Sequence, residues 1–97
     1  MAEGRVGMTP SLVREKAAEY GRQAEIVADV VQKMDKLLDE LQADWVGDSS
    51  KGYAETYRQL KKDGFLPTIE LIEKIRTFLL GAADEMEDAD RRINSRS

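Results

Sequence analysis

The sequence predicts an all-α fold, an antiparallel helical hairpin that dimerises into a four-helix bundle. Three observations carry that expectation. Apolar residues recur at alternating steps of four and three along both halves of the chain. One cluster of turn-forming residues separates the halves. And the apolar surface is more than a single hairpin can cover.

Residues 1–8, MAEGRVGM, hold two glycines and are expected to be flexible. They also lack the apolar stretch of a signal peptide, so a secretory reading requires a route that does not use a cleaved leader. The first helix is expected over about 10–44. Thr9 offers a side-chain cap, and Pro10 suits the first helical position, where no backbone donor is needed. From there Val13, Ala17, Tyr20, Ala24, Val27, Val31, Met34, Leu38, Leu41 and Trp45 form a heptad seam. The turn falls at 45–48, in the run Trp45-Val46-Gly47-Asp48-Ser49-Ser50, with Asp48 or Ser49 able to cap a second helix. Helices joined by so short a turn must lie antiparallel.

The second helix is expected over about 49–93, with Ile72, Ile75, Leu79, Ala82, Met86, Ala89 and Ile93 as its seam. Tyr53, Tyr57 and Leu60 run out of phase with that seam by one residue, and the offset falls at Asp63-Gly64. One extra residue in a helix is absorbed as a π-bulge or a kink. Pro67 cannot donate to the carbonyl of Asp63, so a kink with non-α bonding is expected near 61–67. Ile26, Val30, Leu37, Leu66, Ile69, Leu71, Phe78 and Leu80 lie off the seams. Leaving such side chains in water forgoes about 1.5–3 kcal/mol each, which argues for a partner. Val27, Val31, Met34, Leu38, Leu41, Ile72, Ile75 and Leu79 are the expected seam and dimer residues.

Composition narrows the function. The 97 residues, 41% apolar and 35% charged, suit one domain. No apolar run reaches the ~20 residues of a membrane helix, so stable membrane insertion is not expected. The net charge is −4, with 15 basic side chains interspersed among 19 acidic ones, which speaks against nucleic acid. Histidine and cysteine are absent. Their absence removes histidine-based catalysis and thiolate or imidazole metal sites, so neither an enzyme nor a cofactor is expected. Asp84, Glu85, Glu87, Asp88 and Asp90 crowd one stretch but lack the spacing and glycine of a calcium loop. A solvated helical face is the expectation there.

Trp45-Val46-Gly47, in the turn of a helical hairpin of this length, resembles the motif of the WXG family of type VII secretion substrates. Met8-Thr9-Pro10-Ser11-Leu12-Val13-Arg14, with Tyr20-Gly21, looks like the opening of its Bacillota branch, and Tyr53, Tyr57, Gln59 and Leu60 fit the segment after the turn. Met86, Asp90 and Ile93 match the branch's tail motif, while Ser97 departs from its last hydrophobic position. Met86 also stands where the actinobacterial branch has tyrosine, which favours the homodimeric branch.

The resemblance implies a non-enzymatic, leaderless effector, secreted by the type VII route from a cytoplasmic pool. It implies a bipartite export signal of Trp45 and Gly47 with Met86, Asp90 and Ile93, read by an FtsK/SpoIIIE-type ATPase. The partner would be a second copy or a related WXG or toxin helical domain. The rival reading is an intracellular adaptor or chaperone for the helical N-terminal domain of a larger type VII toxin, and a purely structural hairpin is a further one.

Overall fold

The computed structural model describes residues 7–96, with side chains through Asn94. Most of the opening for which flexibility is expected from sequence, and the Ser97 end of the tail motif, therefore lie outside the described residues. Helix α1 spans Pro10–Asp44, α2 spans Asp48–Leu60, a π-helical segment spans Lys61–Phe65, and α3 spans Leu66–Arg96.

Local chemistry sets each boundary. The Thr9 hydroxyl accepts from the Leu12 N–H at 3.1 Å, capping α1, and Pro10 occupies its first position. The turn rests on Gly47 rather than on a capping side chain. Gly47 is the N-cap of α2, no side chain bonds there, and Asp48 instead places a negative charge in the first turn. The extra residue near Gly64 is taken up by the π segment, where the Leu66 N–H donates to the Lys61 carbonyl five residues back. Pro67 is the second residue of α3, directly after the π segment, and its missing N–H withholds a donor from the preceding helical turn at the place where the bonding departs from the α pattern.

The chain divides into two compact units, Gln23–Leu71 around the turn, and Met1–Arg22 with Ile72–Ser97 around the free ends. Each is an antiparallel pairing of α1 with the chain beyond the turn. In the turn unit, Leu38, Ala54 and Tyr57 form the buried centre, with Met34 and Phe65 packed on it. Ala24 and Val31 are buried further along α1. In the unit of the free ends Val13, Ala17 and Ala83 are buried. Arg76 lies so near Gly21 that a Cβ there would come within 3.0 Å of its Cδ.

Burial is most complete at alanines, with Ala17, Ala54 and Ala83 almost wholly enclosed. On α3 the seam residues Ile72, Ile75, Leu79, Ala82, Met86 and Ala89 are half-buried, and the fully enclosed residue is Ala83. The spacing rule ranks Ala82 and Ala83 poorly, because a small side chain next to another small one shifts the phase without breaking it. On α1 the positions seven apart from Ala17 to Leu38 are buried, while Val27 and Met34 are half-buried and Leu41 is exposed. The seam thus has an inner edge and an open edge.

Candidate functional site

The turn is built around Trp45 and Gly47. The Trp45 N–H extends α1 by bonding the Leu41 carbonyl at 2.9 Å, which holds the indole just past the helix end. Its Nε1–H donates to Ser49 Oγ at 3.2 Å, and its ring lies 5.7 Å from that of Tyr53. Trp45 therefore links the two sides of the turn while remaining 37% exposed, a tilted aromatic pair rather than a sealed cap. Gly47 takes φ +118° and ψ −176°, and its carbonyl accepts from the Lys51 N–H at 3.2 Å. Val46, between them, is almost wholly in water.

At the other end of the sequence, Met86 is half-buried, Asp90 is exposed and Ile93 is largely exposed, all on α3. Among the described residues the Asp90 carboxylate has no ion-pair partner. The acidic stretch around it is not uniformly solvated. Arg14 donates from Nη1 and Nη2 to the two carboxylate oxygens of Glu87, both at 2.8 Å, and from Nη2 to Asp84 at 2.9 Å. The paired hydrogen bonds to Glu87, then those to Asp84, raise the Arg14 pKa and hold Glu87 below the usual carboxylate range. The hydrogen bond from Arg91 to Asp88 likewise raises the Arg91 pKa. Spacing along the chain could not disclose the Arg14 fork, since its partners lie some seventy residues away.

A second polar cluster sits in the turn unit. The buried Tyr57 hydroxyl donates to Asp35 Oδ1 at 2.7 Å and lies 3.4 Å from the Val31 carbonyl. Lys61 Nζ meets both Asp35 oxygens, at 2.9 and 3.1 Å. The Lys61 ammonium, and then the Tyr57 hydroxyl, lower the Asp35 pKa, while burial and the same carboxylate push Tyr57 up to about 12. Lys61 opens the π segment, so this cluster ties that segment to α1. Beside it Met34, Tyr57, Leu60, Gly64, Phe65 and Thr68 line an open apolar notch of about 440 Å³.

Among the described residues no three His, Cys, Asp or Glu gather where they could hold a metal ion, and no helix is long and apolar enough to cross a membrane. What the surface offers is apolar contact area, with exposed carboxylates beside it.

Comparison with known proteins places the chain among relatives of similar length. A family model described as WXG100, proteins of 100 residues with WXG, matches residues 5–91. Protein YukE of Bacillus subtilis is 29% identical over 90 residues, 93% of this chain and 92% of that protein. The type VII secretion system extracellular protein A of Staphylococcus aureus is 23% identical over 94 residues, with the same coverage of each. Among solved structures, Geobacillus thermodenitrificans EsxA superposes with a TM-score of 0.79 at 27% identity, covering 92% of this chain and 97% of its own. A point mutant of the secreted protein EsxB of Bacillus anthracis gives 0.78 at 20% identity over 90% and 97%, a likeness of fold alone.

Proposed function

This chain belongs to the WXG100 family, and we propose from that premise that it is a small protein exported by a type VII secretion system as a homodimer. The observation that carries the reading is the family match itself, which spans nearly the whole chain with Trp45-Val46-Gly47 as the turn between long helices. The Staphylococcus relative, named as extracellular, supports the destination. The role is one of recognition and contact, not catalysis.

The export signal in this reading has two parts, the turn residues Trp45 and Gly47 and the tail residues Met86, Asp90 and Ile93. An FtsK/SpoIIIE-type ATPase reads them. Exposure of Asp90 and Ile93 supports a role in contact rather than in the core. A carboxylate without an internal cation is free to meet a cationic or hydrogen-bond-donating group on a partner.

The test is secretion of Asp90→Ala from the native host, measured by immunoblot of medium against cells, with circular dichroism of the purified variant. Substitution of an exposed residue late in a helix changes stability by within ~0.5 kcal/mol, so the fold should persist while export stops. Normal secretion of the folded variant would remove the tail from the signal and shift weight to the adaptor role. Trp45→Ala is the poorer probe, because loss of its ring contact and hydrogen bond confounds folding with export.

A further inference from the structure

We propose that two copies dimerise in one register, the Phe78 ring of each seated in the notch beside Gly64 of the other. The inference rests on the homodimer reading above and names the contact that aligns the two chains.

The notch exists because of the π segment. Widening the helix at Lys61–Phe65 sets Gly64 between Leu60 and Thr68, with Met34 of α1 closing one side. A Cβ at Gly64 would meet nothing within 4 Å, so the chain's own side chains leave the space unfilled. The lining is apolar apart from the Thr68 and Tyr57 hydroxyls. The first bonds back to the Gly64 carbonyl at 2.7 Å and the second is engaged with Asp35. The matching occupant is therefore a large apolar group without polar demands. Phe78 is one, 73% exposed on α3.

Symmetry selects a second copy as the source of that ring. A twofold interface brings the same patch of each subunit together, so a hole in the patch must find its knob in the patch as well. When α3 packs antiparallel against its copy, residues equally spaced either side of the axis face one another. With the axis at Leu71, itself 58% exposed, Gly64 lies seven residues to one side and Phe78 seven to the other.

The chain has no cysteine, so single substitutions report the register by disulfide formation. Leu71→Cys should oxidise readily to a covalent dimer, since each copy meets itself there. Gly64→Cys and Phe78→Cys should cross-link when mixed and not when alone. In equilibrium dilution, Phe78→Ala and Gly64→Leu should each weaken dimerisation on the order of a hundredfold, because each affects two symmetric contacts. Both sites are open in a single copy, so circular dichroism should show folded chains. A wild-type dimer that cross-links through Phe78→Cys alone, or keeps its affinity with Gly64→Leu, would overturn the register and leave the homodimer reading standing. A wild-type protein that stays monomeric would overturn both.

Discussion

Gly47 combines φ +118° with ψ −176°, a region in which a Cβ collides with the adjoining backbone. Gly47→Ala should therefore destabilise the fold by about 1–3 kcal/mol through strain alone, although no neighbouring atom would clash with the methyl group. Urea unfolding measures this, and an unchanged midpoint would show that the turn relaxes. Asp35 makes a different prediction. Its carboxylate bonds Lys61 and Tyr57 and has a folded pKa below the ordinary 3.8. A depressed pKa contributes stability that is complete above the unfolded value and is lost as pH falls through the folded one. Because the group is 40% exposed, that contribution is screened to about 1 kcal/mol. Asp35→Asn should lower stability at neutral pH and match the native chain in strong acid. A gap that persists below pH ~2 would point to packing instead.

Among the elements, the π segment has the most direct sequence origin. The offset between Tyr53-Tyr57-Leu60 and Ile72-Ile75-Leu79 falls at Asp63-Gly64, inside Lys61–Phe65. Deleting Asp63 should bring both seams into one phase, restore bonds between residues four apart, and stabilise the chain by about 1 kcal/mol, the worth of one regained hydrogen bond. It should also close the notch. Calorimetry at concentrations where the chain is monomeric would then record a higher Tm, and light scattering a weaker dimer. Other features were not legible. The Arg14–Glu87 fork and the Asp35–Tyr57–Lys61 cluster join residues far apart in sequence, and spacing rules see only neighbours on one helix. Ala83 is buried beside the half-buried Ala82, and apolar spacing does not separate two adjacent alanines. Asp48 and Ser49 have cap chemistry, yet the backbone freedom of Gly47 shapes that boundary.

At the scale of the molecule, the periodic spacing accounts for the helices and the single turn cluster for their reversal, while the surplus apolar residues raise the question of assembly. Ile26, Val30, Leu37, Leu41, Leu60, Leu71 and Phe78 are all more than two-fifths exposed in the single chain. Covering them is worth more than any surface ion pair here, since exposed pairs contribute at most about 1 kcal/mol. Light scattering should accordingly give about twice the chain mass of 10.9 kDa at tens of micromolar. Unfolding should also depend on protein concentration, because assembly stabilises the folded state by mass action. A midpoint independent of concentration, with the mass of one chain, would refute the dimer.

The five wide residues at Lys61–Phe65 have a consequence for descent. An inserted codon in a helix ordinarily rotates every later side chain by about 100° and scrambles the packing of the whole downstream arm. Here the misalignment is contained within five residues, and α3 emerges with Ile72, Ile75 and Leu79 still half-buried. The segment is a frame corrector, which leaves the arm on each side of it to keep its own phase.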